Sequence, residues 1–488
     1  MKKINIELIK KHYIVILFLI VYFSIISYRI LQKPPFYDWD ESIYAQVGRE
    51  MIRAKSFFVP LWQGKPWLDK PPIPSLFYGL VQLVPIAPEI STRLATLILS
   101  CFVLLFQYAL AYRITKQKIP ALLTVIITAF LPIFFQRSQA LNVDVFLLLG
   151  WLGYVLWYEN MIISTLFLLL AVLSKSLLGF FPPLLFTSFY VYSLATKQID
   201  KKHFVSLIKK VAIQLGVSSL WFIGMMLIYK YPFIQYQFID SHFKRVTASI
   251  EQHFGQRTFY VTVLIDQFKL LLIPALISLL YFAYSFFTKK RSVYPTFLAV
   301  FFVPWFVFLN LTKTKIEWYI YPVLPQFAFL ASYPLTFLKK KPLLLILSFA
   351  TLLWLFFFTI TPIKMLLTRS FSSLEDHQLI ARDAKKNRCD GLYVLVDSST
   401  RSSYATLKSM DLVISTTTWW GNHPSIAYYA DTTTSNIYDL NEAKQKFDNL
   451  LTNACMIVVK DDVPLLLPSK QIVRQISDNK TYALFIAK

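Results

Sequence analysis

The sequence has few charged residues, glycines and cysteines for its length. Of its 488 residues only 16% are charged, while 56% are hydrophobic, and this composition excludes both a soluble globular protein and a disordered chain. The 3 cysteines are too few for a disulfide scaffold and match no zinc spacing. The 11 glycines form no glycine-rich phosphate loop. The composition therefore predicts a membrane protein.

Basic residues greatly outnumber acidic ones. Lys and Arg number 50 against 27 Asp and Glu, a formal net charge of +23. In a polytopic membrane protein such an excess normally lies in cytoplasmic loops, so we expect membrane lipids as partners and no nucleic acid. The basic start precedes an apolar run of about 18 residues without a small-residue cleavage site. This pattern predicts a retained first span and a cytoplasmic N-terminus.

Apolar runs long enough to cross a bilayer recur along the chain. They predict a polytopic α-helical membrane protein with about eleven transmembrane helices, at 13–31, 94–112, 119–135, 145–158, 161–173, 177–194, 207–229, 268–287, 294–311, 318–338 and 343–362. The short segments on either side of Glu159 and Asn160 are counted separately, because merging them would move the last three basic clusters to the outer side. With eleven spans the cytoplasmic clusters are Lys2, Lys3, Lys10 and Lys11; Arg113, Lys116 and Lys118; Lys197, Lys201, Lys202, Lys209 and Lys210; Lys289, Lys290 and Arg291; and Lys339, Lys340 and Lys341.

The membrane part of the chain is expected to carry two large outer loops. We predict a transmembrane domain at 1–365, with a first outer loop at 32–92 and a second at 230–267. Within the first loop, the proline-rich stretch 71–88 is apolar but short, so it is expected to lie in the interface without crossing.

The remainder, 373–488, is predicted to be a small soluble α/β domain on the extracytoplasmic side. Short apolar runs predict buried strands, and amphipathic patterns predict helices. The strands are expected at 391–396 and 455–459, and the helices at 376–386 and 441–451. Residues 398–403 and 416–420 are predicted as loops, the second with an exposed pair, Trp419 and Trp420, that either packs in a core or contacts a glycan. Cys389 and Cys455 could pair in this domain, since that compartment is oxidising.

Acidic residues open the first outer loop. Asp38, Asp40 and Glu41 follow the first span and Pro34-Pro35, so their carboxylates are expected at the outer membrane surface. A general base belongs there if the substrate is a lipid headgroup. Alternatively, Asp40 and Glu41 cap the helix that follows them. A third possibility is a divalent metal at Asp38-x-Asp40, although such a triplet is common by chance.

Cations and further acids along the chain are expected on the same face. Lys70 precedes Pro71-Pro72, which would hold its ammonium in place to bind a phosphate; the alternative is a snorkelling lysine. Other ionisable residues lie alone among apolar ones or in basic, aromatic stretches. They either bind a phosphate or are solvated residues at the rim of the membrane part. They are Asp69, Arg137, Asp144, Lys175, His242, Arg245 and Lys315.

An ordered set of these residues resembles the GT-C glycosyltransferases of the aminoarabinose transferase and protein O-mannosyltransferase superfamily. The resemblance covers roughly residues 34–335. It differs at Asp69, where relatives often carry Glu, and at Ser176, where Gly is usual. The matching residues are Asp40, Glu41, Tyr44, Arg49-Glu50-Met51, Val59-Pro60, Gly64, Lys70-Pro71-Pro72, Arg93-Leu94, Arg137, Asp144, Ser174-Lys175, His242, Arg245, Lys313, Lys315, Trp318-Tyr319 and Pro322.

This resemblance implies a polyprenyl-phosphate sugar as donor and inverting transfer at the outer face of the cytoplasmic membrane. The acceptor would be lipid A, another envelope glycan or a protein hydroxyl. Asp40 is implied at the reacting centre, with Asp144 and Glu41 as further acids. The remaining site residues would bind the donor phosphate or substrate: Lys70, Tyr44, Asp69, Arg137, Lys175, His242, Arg245 and Lys315. No cofactor is expected to be required.

Two other classes of protein remain as alternatives. A transporter or flippase for lipid-linked sugars would place charged pairs near the middle of the bilayer and often contain repeated halves. The sequence instead gathers ionisable residues at one edge and contains no repeat. A sensor anchored by its membrane part would need far fewer spans. We therefore expect an enzyme whose ionisable residues share one pocket.

Overall fold

The computed structural model describes residues 12–288, 293–369, 373–466 and 473–487. Two of the predicted basic clusters, the one at Lys2 to Lys11 and the one at Lys289 to Arg291, lie outside these residues. Backbone contacts divide the chain into two compact units. Unit 1 comprises 1–33, 90–230 and 255–370, and unit 2 comprises 34–89, 231–254 and 371–488.

Unit 1 is helical. Several of its helices begin at a proline in their first turn, where the missing N–H costs nothing, as at Pro132, Pro182 and Pro304. Its α-helices are Tyr13–Leu31, Pro88–Thr115, Lys118–Phe130, Pro132–Arg137, Asp144–Leu156, Met161–Lys175, Phe181–Ala195, Lys201–Ile234, Phe259–Phe268, Leu272–Phe287, Val293–Ala299, Val303–Leu311, Leu324–Ser332 and Lys341–Arg369. Of these, Pro88–Thr115 begins in unit 2 and Lys201–Ile234 ends there. The 3₁₀ helices are Ser176–Phe180, Lys269–Leu271, Glu317–Val323 and Tyr333–Phe337.

Long apolar helices dominate this unit. Within the described ranges, six helical segments are long and apolar enough to cross a membrane, and two shorter apolar helices accompany them. The predicted number of eleven spans stays a prediction, as do the predicted domain boundaries. The helix Phe259–Phe268 begins inside the predicted second outer loop.

The two short apolar segments around Glu159 form separate helices, as the charge argument requires. The second begins at Asn160, whose side chain accepts a hydrogen bond from the backbone N–H of Ile163 at 3.0 Å. The helices pack tightly because a glycine lies at their crossing: a Cβ atom on Gly150 would be 2.7 Å from the carbonyl oxygen of Phe167.

Unit 2 combines most of the predicted first outer loop with residues 231–254 and the C-terminal residues. Its α-helices are Asp40–Arg53, Ile73–Val81, Arg245–Thr247, Asp376–Lys386, Ser398–Ser409, Ser425–Ala430, Leu440–Asp448 and Val463–Leu466. A π-helix spans Gln235–Lys244, and a 3₁₀ helix spans Lys460–Asp462. The strands are β1 Leu61–Trp62, β2 Lys65–Pro66, β3 Gly391–Leu395, β4 Thr434–Ile437, β5 Ala454–Val459, β6 Val473–Asp478 and β7 Tyr482–Ala487.

Five of the strands form one mixed sheet in the order β4-β3-β5-β7-β6. β3 pairs in parallel with β4 and β5, whereas β7 is antiparallel to β5 and β6. Both predicted strands and both predicted helices of this domain are confirmed. The sheet buries a core that includes Phe447, Met456 and Phe485. Cys455 lies on the central strand β5 and Cys389 lies just before β3. The two cysteines form a disulfide.

The prediction of a loop at 398–403 is wrong, whereas residues 416–420 form turns and a bend, as predicted. Residues 398–409 form a helix because Asp397 caps it, accepting a hydrogen bond from the backbone N–H of Thr400 at 3.0 Å. Trp420 is 8% exposed and packs against Trp62 and Trp67, with ring centroids 4.7 and 5.4 Å away. Core packing therefore explains Trp420.

The short helix Ile73–Val81 lies in the predicted interfacial stretch. With 9 residues it extends for roughly 13 Å, well short of a hydrocarbon core. It packs against Asp40–Arg53 at two glycines, where a Cβ on Gly48 would approach the Ser75 carbonyl oxygen to 2.5 Å. This close crossing fixes the helix that carries the first acidic residues.

Candidate functional site

The acidic opening of the first loop contains a strained backbone. Trp39, between Asp38 and Asp40, has φ of 66° and ψ of −120°. This conformation is unfavourable for any residue other than glycine. Strain of this kind typically costs about 1–3 kcal/mol and clusters at functional sites. Trp39 is the N-cap residue of the helix Asp40–Arg53.

Asp38 contacts two histidines of the C-terminal domain. Its Oδ2 atom lies 2.7 Å from Nδ1 of His423 and 3.0 Å from Nε2 of His377. Its other oxygen accepts a hydrogen bond from the backbone N–H of Ser425 at 3.0 Å. Burial alone would raise the pKa of Asp38, but the bonds and charges of the two histidines outweigh burial and hold that pKa well below its ordinary value.

Asp40 and Glu41 occupy the first turn of their helix, where carboxylates are favoured by the helix dipole. Glu41 is 2% exposed, and its carboxylate accepts a hydrogen bond from the backbone N–H of Tyr37 at 2.8 Å. This bond lies before the helix, and among the residues that the structure describes the N-cap residue Trp39 makes no side-chain capping hydrogen bond. Tyr44, one turn further along, is buried with its ring 6.1 Å from that of Trp67. The catalytic and binding roles of these residues stay predictions.

A buried carboxylate lies among cations further along unit 2. Asp69 is 5% exposed, and within the described part of the chain its Oδ1 atom has no hydrogen-bond partner. Burial raises the pKa of Asp69 to about 6, although the charges of Lys70 and Arg245 act in the opposite direction. Arg245 also pairs with Glu251 at 3.0 Å. Asp69, Lys70 and Arg245 thus form one electrostatically coupled group, which we call the loop cluster.

Replacing Asp69 with asparagine should raise stability at neutral pH. The native state holds the proton of Asp69 more tightly than the unfolded chain, so this group favours folding below about pH 4 and loses that effect as pH rises through about 6. The rise in the pKa of Asp69 corresponds to about 3 kcal/mol. This value is an upper bound for the free energy of unfolding that the variant gains at pH 7. Unfolding midpoints of the detergent-solubilised protein from pH 4 to 8 measure it. Equal pH dependence in the wild type and the Asp69→Asn variant would contradict the assignment.

His242 and Arg245 lie at the end of the π-helix Gln235–Lys244 and just after it. π-Helical turns are rare and occur often at functional sites. Nδ1 of His242 lies 2.6 Å from the carbonyl oxygen of Gln237. Because a carbonyl only accepts, Nδ1 carries a proton and donates it to this bond. The backbone of the π-helix therefore fixes the histidine ring.

In unit 1, three predicted site residues form one ionic group, which we call the triad. Asp144 has a side chain 1% exposed; its carboxylate pairs with Arg137 at 2.7 Å and with Nζ of Lys175. Asp144 is the first residue of its helix, whereas Arg137 and Lys175 are the last residues of theirs. The helix dipole favours acidic residues at the N-terminus of a helix and basic residues at its C-terminus. Arg137 also lies 5.2 Å from the ring centre of Trp318, and Lys175 lies 4.6 Å from that of Tyr319. Two cations on one acid give the buried triad a net positive charge.

The turn after the triad's lysine has a strained backbone at Ser176. Ser176 has φ of 56° and ψ of −131°, a region that only glycine adopts readily. The sequence departure at this position therefore places a strained serine next to Lys175.

Lys315 has a local role in unit 1. Its Nζ atom donates hydrogen bonds to the carbonyl oxygens of Leu309 and Asn310, both at 3.1 Å. These carbonyls end the helix Val303–Leu311, so the lysine caps that helix. The predicted phosphate-binding role of Lys315 stays a prediction. So does the expectation that the residues of both units share one pocket.

Sequence reasoning missed His377 and His423, and also a salt-bridge network in unit 2. Asp431 accepts ion pairs from Arg49 at 3.3 Å, Arg53 at 2.7 Å and Lys385 at 2.9 Å. Arg49 and Arg53 lie more than three hundred positions from Asp431 and Lys385 lies 46 positions from it, so these partners follow no local pattern. The sequence carried no signal that could have paired them.

Comparisons with known proteins agree with this fold. Residues 14–180 match the family model for dolichyl-phosphate-mannose-protein mannosyltransferase. The structure of ArnT from Cupriavidus metallidurans, bound to undecaprenyl phosphate, superposes with a TM-score of 0.69 at 15% identity, covering 96% of this chain and 97% of ArnT. The chain has the GT-C glycosyltransferase fold. The predicted resemblance to this superfamily is confirmed at the level of the fold and of the matched N-terminal segment.

Two further matches are broader or partial. The oligosaccharyltransferase AglB of Archaeoglobus fulgidus, in complex with an inhibitory peptide and a dolichol-phosphate, gives a TM-score of 0.56 at 12% identity, over 93% of this GT-C chain and 70% of AglB. An uncharacterized protein of Aquifex aeolicus strain VF5 is 28% identical over 323 residues, 64% of this chain. The alignment spans only 61% of that relative's length. With its apolar helices and this fold, the chain is a multi-pass membrane protein.

Proposed function

We propose that the protein transfers a sugar from a polyprenyl-phosphate donor to an acceptor of the cell envelope. The observation that carries this proposal is the similarity to ArnT over nearly the whole of both chains, since that structure holds a polyprenyl phosphate. The AglB structure holds a dolichol-phosphate and a peptide, so lipid, glycan and protein acceptors all fit the proposal. Lipid A is one member of this set.

In the proposed reaction, the bond between the anomeric carbon and the phosphate oxygen breaks as the acceptor oxygen attacks from the opposite face. Asp40 takes the proton of an acceptor hydroxyl, and the polyprenyl phosphate leaves with the bonding electrons. If the acceptor is itself a phosphate, Asp40 positions it or stabilises charge. Stabilisation of the charge that develops on the leaving group is often the largest contribution to catalysis.

Each unit contains cations that suit a phosphate. In the loop cluster, Lys70 and Arg245 act electrostatically on Asp69, whose pKa of about 6 leaves it partly protonated near neutral pH. Protonation of Asp69 releases positive charge for a phosphate. In unit 1 the triad contains two cations, Arg137 and Lys175, and one buried acid, Asp144. A buried positive charge is favoured when an anion accompanies it. No cofactor takes part in this proposal.

The disulfide supports the proposed location. Disulfides persist in oxidising compartments and are rare in the cytosol. The Cys389–Cys455 bond lies in the C-terminal domain, which fits an extracytoplasmic position for that domain and a catalytic face on the outer side of the cytoplasmic membrane.

Release of free polyprenyl phosphate tests the proposal directly. The purified protein is reconstituted in liposomes with a sugar-loaded polyprenyl phosphate and an envelope lipid extract as acceptor. We expect release that depends on acceptor, and mass spectrometry of envelope lipids and glycans from cells with and without the protein to identify the product. A flippase would move labelled donor across the liposome membrane without releasing phosphate. That result would overturn the proposal in favour of transport.

A further inference from the structure

Asp38, His377 and His423 form a cluster that the proposed transfer reaction does not use. The three residues come from the start of the first loop, the helix Asp376–Lys386 and the segment before the helix Ser425–Ala430. One carboxylate oxygen and one ring nitrogen from each histidine lie within 4.8 Å of one another. We propose that this cluster, the Asp–His–His site, binds a divalent metal ion of the zinc class.

The donor atoms match the preferences of zinc. Zn²⁺ takes imidazole nitrogen and carboxylate oxygen at about 2.0–2.2 Å in tetrahedral sites, which separates the donors by roughly 3.3–3.5 Å. Here Oδ2 of Asp38 lies 2.7 and 3.0 Å from the two nitrogens. Each of these two oxygen–nitrogen distances would have to lengthen by roughly 0.3–0.8 Å to admit the ion. Three protein ligands leave one position for water or a substrate oxygen.

The carboxylate is already oriented for binding through one oxygen. Oδ1 of Asp38 accepts a hydrogen bond from the backbone N–H of Ser425, which leaves Oδ2 directed at the histidines. Trp39 holds the neighbouring backbone in its strained conformation. A strained backbone conformation persists when the surrounding structure fixes it, and such strain typically marks a functional position.

His377 presents a buried nitrogen to the carboxylate of Asp38. This histidine is 3% exposed. Its Nε2 atom lies 3.0 Å from Oδ2 of Asp38. A metal ion held by the cluster would bind the lone pair of this nitrogen.

The other nitrogen of His377 has a partner of the type that supports metal ligands. Nδ1 lies 3.7 Å from a carboxylate oxygen of Glu375. Histidines bound to metals usually direct their second nitrogen at a carboxylate or carbonyl, which fixes the ring and strengthens the donor. A small approach of Glu375 would complete this arrangement.

One feature must change on binding. The two imidazole rings are stacked, with centroids 3.8 Å apart and planes at 11°. A metal lies in the plane of each ring that binds it, and parallel planes do not meet at one ion. At least one ring must therefore turn about its Cβ–Cγ bond, a torsion with a broad range of accessible angles. The bound ion would then join the first loop to the C-terminal domain within unit 2.

Zinc content and Co²⁺ absorption test the proposal on the full-length protein with its affinity tag removed. The protein is stripped with chelator, incubated with ZnCl₂ and separated from free ions before elemental analysis. We expect about one zinc per chain in the wild type and in a His203→Gln control at an exposed histidine. The His377→Gln/His423→Gln variant should lose this zinc, with an affinity loss beyond the about 10–100-fold typical of removing a supporting partner.

Titration with Co²⁺ keeps the test independent of whether the double variant folds. Bound tetrahedral Co²⁺ gives intense visible absorption, and competition by Zn²⁺ should remove it from the wild-type protein. The proposal is overturned if the wild type retains no more zinc than the double variant, or if Co²⁺ shows only the weak spectrum of the hydrated ion. In either case the cluster is a hydrogen-bonded contact. Neither measurement depends on glycosyl transfer, so this test stands apart from the proposed function.

Discussion

Replacing Asp40 with asparagine is expected to slow sugar transfer by about 10²–10⁴-fold, the usual contribution of a general base. Asparagine keeps the size of the side chain and remains favourable at the start of a helix. The helix Asp40–Arg53 is also held by packing at Gly48 and Gly79. The variant should therefore fold and insert normally. Initial rates of polyprenyl phosphate release, with saturating donor, measure the loss.

Asp461→Asn is a matched control for this variant, since it makes the same chemical change at an exposed position of the C-terminal domain. It should transfer sugar at the wild-type rate. If Asp40→Asn also retained that rate, Asp40 would only stabilise its helix. An acceptor that is already a phosphate needs no proton removed, so the loss would then be smaller and independent of pH. The pH profile of the residual rate separates these two roles.

Replacing Asp144 with asparagine is expected to destabilise the protein by about 3–5 kcal/mol, the usual cost of breaking a buried ion pair. The variant leaves Arg137 and Lys175 without their shared carboxylate, and the side chains of the three residues are between 1% and 13% exposed. The two cations would then repel each other in a medium that screens charge poorly. Thermal unfolding of the protein in detergent measures this effect.

The surface pair Asp266 and Lys269 offers the matched comparison. Its side chains are 59% and 42% exposed, with oxygen and nitrogen 2.6 Å apart. Exposed pairs contribute at most about 1 kcal/mol, so Asp266→Asn should shift the unfolding temperature little. A similar small shift for Asp144→Asn would show that the triad is not a buried ionic group. If added polyprenyl phosphate restored stability to Asp144→Asn, the cations would be implicated in binding the donor.

The local part of the fold followed from the sequence because it depends on short patterns. Long apolar runs predicted helices of unit 1, short apolar runs predicted the strands β3 and β5, and an amphipathic pattern predicted the helix Asp376–Lys386. The helix Ser398–Ser409 was missed because serine and threonine are poor helix formers. There a single capping carboxylate, Asp397, starts the helix despite that composition.

The candidate site was predictable in part. Isolated charges among apolar residues must find partners, since an unpaired buried charge is costly, and this rule selected Arg137, Asp144 and Lys175 without knowing that they pair with one another. The same rule could not distinguish Lys315, whose partners are backbone carbonyls. Histidines are common in loops, so His377 and His423 carried no signal until the fold brought them to Asp38.

By itself the sequence determined that this chain lives in a membrane, where its long apolar segments lie and which charges demand explanation, because hydropathy acts over about 20 neighbouring residues. Only the tertiary structure decided which charges meet. The contact between Asp38 and His423 joins residues 385 positions apart, and no local rule relates such residues. Their meeting depends on the packing of whole elements, which is a property of the folded chain.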